Sequence, residues 1–199
     1  MPLSKIQAES MNLADTYAFT GTVSGAGSLV KLATATASSS SEVAFDNTVF
    51  TAAYKSYMIR INDVVLSTNA NFHFADSPDN GSTFSFTSNQ GNHYARIGAA
   101  SSGGSGGTNS NLHSFEGWVH DATGTINTNF IELHLPYFTQ TQVNKYYYAK
   151  YLHYNHNGTM YVIDFGWMSS LSTAQNYIKF MGASGNITKG EFTVYGVVE

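Results

Sequence analysis

Between Tyr54 and Leu66, the residues Tyr57, Ile59 and Ile61 alternate with Met58, Arg60 and Asn62. A period of two gives a strand one buried face and one wetter face. The same pattern returns in Phe115 to His120, in Tyr146 to Tyr154, and where Ile131, Leu133 and Leu135 alternate with Glu132 and His134. It returns again where Tyr161, Ile163, Phe165 and Trp167 alternate with Val162, Asp164 and Gly166. Ile178 with Phe180, and the β-branched and aromatic stretch Phe192 to Val198, predict two further strands, with Phe192 and Val194 facing the core. Phe72 with Phe74 and Phe84 with Phe86 flank a segment carrying Pro78 and Asn80–Gly81, which predicts a hairpin with a turn of several residues.

Two stretches break the alternation. Ser4 followed by Gln7 forms a capping-box pattern, and Leu3, Ile6 and Leu13 share one helical face, so residues 1–16 are expected to form a short N-terminal helix or arm. Gly98 to Asn111 reads GAASSGGSGGTNSN, which offers little to bury and much backbone freedom. It is expected to be a flexible exposed loop inside a single domain spanning residues 17–199. About eight strands without a helical period between them leave an antiparallel all-β sandwich or barrel. No fixed internal repeat points to a propeller or solenoid.

Composition narrows the function classes. With 199 residues and 42% apolar content the chain can bury a core, and 14% aromatic against 11% charged residues is the reverse of a disordered composition. A net charge of -4 with nine Lys plus Arg leaves little to neutralise phosphates, so nucleic acid and anionic membranes are not expected partners. There is no cysteine, hence no disulfide and no thiolate metal site. The start of the chain lacks the pattern of a secretory signal, and no run of apolar residues reaches membrane length. Synthesis in the cytoplasm as a soluble product, without membrane insertion, is the expectation.

Candidate chemistry is sparse. Gly103 to Gly107 match G-x-S-x-G around Ser105, but that motif works on a strand-to-helix turn and here lies in a low-complexity stretch. His153 and His156, three apart, would point to opposite faces of a strand, and His113, His120 and His134 are scattered; none is assigned as a metal ligand. Asp76, Asp79 and Asn80 crowd one turn without the ligand spacing of a calcium loop. Asp63, Glu116, Glu132 and Asp164 are the strand-borne acids that a glycosidase would draw on, and outward solubilising charge explains them better. No enzymatic activity, cofactor or metal is expected. In the run from Tyr146 to Tyr154, alternation puts Tyr146, Tyr148 and Tyr154 on one face and Tyr147 and Tyr151 on the other. Tyr147 and Tyr151 are taken as the contact face, because tyrosine suits protein interfaces and stacking on sugar rings alike. Leu3, Ile6 and Leu13 are the corresponding anchor in the arm.

The two ends of the chain carry a resemblance. The opening LSKIQAESMNLADTYAFTGTVSGAG and the closing SGNITKGEFTVYGVVE resemble small virion proteins of marine tailed bacteriophages. Gly190, Phe192, Val194, Tyr195, Gly196 and Val197 supply the ending of that group's last strand, and Phe45 to Tyr57 is similar to its entry into the first long strand. The resemblance implies a jelly-roll-like sandwich and a structural role on the virion surface, as a capsid-decoration or attachment module acting through contact. It leaves open a tail-fibre receptor-binding protein that meets host surface glycans, and, third, a polysaccharide depolymerase. Expected partners are other copies of the chain, as a homotrimer, and other virion proteins.

Overall fold

The computed structural model describes residues 28–84, 91–98, 101–108, 113–119, 129–141, 144–154, 160–169 and 172–198. Among these the chain forms twelve strands: β1 (Leu29–Ala37), β2 (Val43–Phe45), β3 (Ser56–Leu66), β4 (Ala70–Ser77), β5 (Gly91–Gly98), β6 (Ser101–Thr108), β7 (His113–Val119), β8 (Asn129–Leu135), β9 (Lys145–Tyr154), β10 (Met160–Ser169), β11 (Tyr177–Gly182) and β12 (Ile187–Val197). Every pairing is antiparallel, in a large sheet ordered β1-β12-β3-β8-β9-β10-β5-β6 and a small sheet ordered β2-β11-β4-β7.

The order has a simple origin. β1 pairs with β12, β2 with β11, β3 with β8 and β4 with β7, so the chain is one long antiparallel ribbon whose two arms run side by side. Successive strands of each arm alternate between the sheets, and the pairings β12–β3 and β11–β4 close the winding. This is a jelly roll. Two hairpins are inserted in it, β5–β6 between β4 and β7, and β9–β10 between β8 and β11; both extend the large sheet beyond β8. The expected antiparallel sandwich is therefore present, while the N-terminal helix or arm lies outside the described residues.

Aromatic side chains fill the space between the sheets. Phe72 and Phe74 on β4, Phe115 on β7 and Phe180 on β11 meet Phe192, Tyr147, Tyr151, Phe165 and Trp167 from the large sheet, with ring centroids 5.1–6.3 Å apart. These are ordinary separations for edge-on and offset aromatic pairs. Phe192 and Val194 face this core and are fully buried, as their parity predicts.

The closing motif has a structural reason at each glycine. Asp63 adopts φ 52° and interrupts the register between β3 and β12, which shifts the inward parity from Tyr57, Ile59 and Ile61 to Val64 and Leu66. Opposite this bulge, Gly190 has φ 152°, and a Cβ there would lie 2.8 Å from Val64 Cγ2. At Gly196 a Cβ would lie 2.6 Å from the ring of Tyr54.

One expectation is corrected. Residues 101–108 of the Gly/Ser stretch form β6 and pair with β5 from Gly91↔Thr108 to Gly98↔Ser101, so they are not a loop; the rest of the stretch beyond Gly98 is outside the described residues. A ladder is made by backbone groups, which glycine carries like any residue, and a long register can offset its entropic cost. Of the expected hairpin, Phe72 and Phe74 lie on β4, whose neighbours are β11 and β7, while Phe86 lies outside the described residues. The turn itself forms as its residues dictate, with Asn80 at φ 57°, Gly81 at φ 84°, and the Ser82 N–H bonded to the Asp79 carbonyl at 3.3 Å.

Candidate functional site: the outer face of the large sheet

Strand β9 reads KYYYAKYLHY, and from Lys145 to His153 its faces alternate: Lys145, Tyr147, Ala149, Tyr151 and His153 are buried, while Tyr146, Tyr148, Lys150 and Leu152 are exposed. Tyr147 and Tyr151, the expected contact residues, are thus core residues, 2% and 0% exposed, and this assignment is corrected. The partition into two faces is right but the outward face carries the other pair. Tyr146 and Tyr148 are 56% and 51% exposed. The small sheet covers the Tyr147 face because Phe115 of β7 and Phe74 of β4 need apolar partners there. Leu3, Ile6 and Leu13 lie outside the described residues.

Buried Tyr147 belongs to a polar network between the sheets. Its hydroxyl donates to Asp76 Oδ2 at 2.6 Å, and His113 Nε2 sits 3.2 Å from Asp76 Oδ1, all three side chains being buried. Burial, then the charge of Asp76, pushes the Tyr147 hydroxyl well above the usual phenol range, so it stays a donor. Nearby, Lys145 is buried with its ammonium donating to the carbonyls of Tyr137 at 3.0 Å and of Gln140; burial lowers its pKa, opposed by the charge of Asp76. Tyr137 reaches this geometry at φ 52°. Through Asp76 on β4, His113 on β7 and Tyr147 on β9, the network ties the two sheets together.

The remaining candidates are dispersed. Asp76 and Asp79 do not share a site: Asp76 is in the core, while Asp79 accepts from Thr83 Oγ1 at 2.6 Å and Ser77 Oγ at 2.7 Å, bonds that hold its carboxyl down at about 2. His153 is buried with Nδ1 3.1 Å from the Tyr151 hydroxyl, and His120 and His156 are outside the described residues. Among the described residues no three His, Asp or Glu side chains gather as a metal site. Ser105 lies in the middle of β6, away from any strand-to-helix turn.

What the outer face does assemble is two rows of side chains. The first row runs Tyr195, Met58, His134, Tyr148, Gly166 across β12, β3, β8, β9 and β10; the second runs Thr193, Arg60, Glu132, Lys150, Asp164. In the first, the His134 and Tyr148 rings are parallel, 5° apart in plane with centroids at 4.4 Å. His134 Nε2 is 2.9 Å from Glu132 Oε1, and Arg60 Nε is 3.3 Å from Glu132 Oε2, with the guanidinium 5.8 Å from the ring centre of Tyr195. Lys150 Nζ donates to Asp164 Oδ1 at 2.8 Å. Glu132 and Asp164 share the row with Lys150 between them, each held by a cation; the Lys150 and Asp164 side chains are more than half exposed, while Met58 and Thr193 at the β3–β12 end are buried. The face presents oriented aromatic rings edged by donors and acceptors, chemically able to stack on and hydrogen-bond a partner.

His134 was visible in the sequence as an outward position of β8, and its stacking on Tyr148 follows from their being cross-strand neighbours. The pairing register that brings them together has no local signal. Compared with family models, with curated proteins and with solved structures, the chain matches none.

Proposed function

We propose that the chain is a structural protein of a tailed-bacteriophage virion surface, a capsid-decoration or attachment module that works through contact rather than catalysis. One observation carries the choice of contact over chemistry: the outer face of the large sheet holds Tyr146 and Tyr148 half-exposed beside ion pairs. The resemblance of both chain ends to virion proteins supports the phage assignment, and the jelly-roll winding is of the kind that resemblance implies. In this reading residues 1–16 tether the chain to the particle, and copies assemble as a homotrimer with closed symmetry.

Immunogold labelling of intact particles tests the reading. Gold on heads fits decoration, gold on tails fits attachment, and unlabelled particles from a lysate that contains the protein overturn it. Light scattering of the purified protein is expected to give the mass of three chains.

A second reading, a receptor-binding protein for host surface glycans, is favoured by the ring arrangement around Tyr148.

A further inference from the structure

We propose that the outer face of β10 at Gly166 is the floor of a carbohydrate-binding slot, in which a pyranose ring lies flat against Tyr148 and its hydroxyls reach the Lys150–Asp164 pair. The proposal rests on the contact reading above and names what is contacted.

The first argument is the glycine. Inside a strand, glycine weakens the element and commonly marks a bulge, a bend, or the close approach of a backbone or ligand. Around Gly166 the register is unbroken, from Met160 to Ser169 against β9 and from Tyr161 to Trp167 against β5. A Cβ added at Gly182, Gly185, Gly190 or Gly196 would meet another atom at 2.5–2.8 Å, whereas one at Gly166 would meet nothing within 4 Å. The fold has no use for the missing side chain. What its absence provides is space above β10.

The second argument is the wall of that space. Tyr148 is the cross-strand neighbour of Gly166 on β9, about 4.8 Å away at the backbone. One face of its ring lies parallel to His134 on the β8 side, and His134 is in turn held by Glu132. The other face is therefore turned to the open floor. A ring so backed loses little freedom when a second flat group stacks on it.

The third argument selects the occupant. Two residues along β9 and β10 from this wall and floor, about 7 Å away, stands the Lys150–Asp164 pair, each side chain 57% exposed. Protein interfaces are depleted of charge at their centres, and covering such a pair with apolar side chains would strip it of water. Sugar hydroxyls both donate and accept, so they replace that water while the C–H face of the ring lies on the tyrosine.

Saturation-transfer NMR of the full chain with methyl glucopyranoside, galactopyranoside and mannopyranoside is the direct test, followed by titration of oligomers of the sugar that responds. The expected result is transfer to the ring protons of at least one glycoside, with affinity about tenfold or more weaker in Tyr148→Ala and Gly166→Thr and unchanged in Tyr137→Ala. Gly166→Thr is decisive because threonine suits a strand and has room here, so its melting temperature should equal or exceed that of the unaltered protein. Absence of transfer from all three sugars overturns the slot, as does binding that survives Gly166→Thr. Loss of the trimer in Gly166→Thr, without any sugar signal, would assign the face to a protein contact and equally overturn it. Since the virion assignment is read from immunogold on particles, it stands or falls separately.

Discussion

The two faces of β9 carry the same residue type to opposite ends. Tyr147 and Tyr151 point between the sheets, where one hydroxyl is bonded to a buried carboxylate and the other to a buried histidine. Tyr146 and Tyr148, one position away along the same strand, stand in solvent, and Tyr148 stacks on His134. Tyrosine is amphipathic enough for either fate, so its identity decides nothing. What decides is the neighbour across the gap: Phe74 and Phe115 need cover, and the strand supplies it on the odd-numbered side. The inner tyrosines are therefore expected to govern stability and the outer ones recognition.

The strongest way to break that contrast is truncation on each face. Tyr151→Ala removes a fully buried ring and should cost about 3–5 kcal/mol, on the scale of other large aromatic deletions, whereas Tyr148→Ala should stay within about 0.5 kcal/mol. Denaturant midpoints measure both. Equal losses would mean that the outer face is part of the stable fold.

A finer cut removes only the hydroxyl. Tyr147→Phe leaves Asp76 short of its 2.6 Å donor and should cost about 1–3 kcal/mol, while Tyr146→Phe, whose hydroxyl accepts from exposed Asn144 Nδ2 at 3.2 Å, should cost little. A neutral Tyr147→Phe would show that His113 alone satisfies the carboxylate.

The same contrast explains which parts could be read in advance. Alternation reports that a strand has two faces, and it gave the positions of β3, β8, β10 and β12 because their inward residues are overwhelmingly apolar. In β9 both faces are aromatic, so the period was visible and the inward side was not. Lys145 pointed the wrong way: it shares the parity of Tyr147, where a lysine argues for an exposed face, yet it is buried because loop carbonyls receive its ammonium. β6 was missed because its pairing uses backbone groups while its side chains, Ser, Gly and Thr, carry no pattern. The Asp76–His113–Tyr147 network joins strands far apart in the chain, and the pairing of Tyr148 with Gly166 depends on the register of the β9–β10 hairpin. Only register brings such residues together, and register has no local signature.

The smallest expected effect concerns an acid outside both faces of β9, and it sharpens what burial contributes. Asp79 sits in the turn after β4, fully exposed, and its carboxyl is held down at about 2 by hydrogen bonds from Thr83, Ser77 and the Thr83 backbone rather than by burial. Its folded-state pKa is below the unfolded value of 3.8, so the folded form binds its proton less readily. The stability this supplies is complete above the unfolded pKa and is lost as pH falls through the folded one. Asp79→Asn, which keeps one acceptor but cannot titrate, should flatten the stability profile between about pH 4 and pH 2 and leave it unchanged near neutrality apart from a small uniform offset. Measuring urea midpoints of both proteins across that range checks the sign. A profile equally steep in the variant would move the acid sensitivity elsewhere, to Asp46, whose pKa is also lowered by its bonds to Thr48. Neither carboxylate lies on the inner or outer face of β9, so recognition by the Tyr148 face should be indifferent to the change.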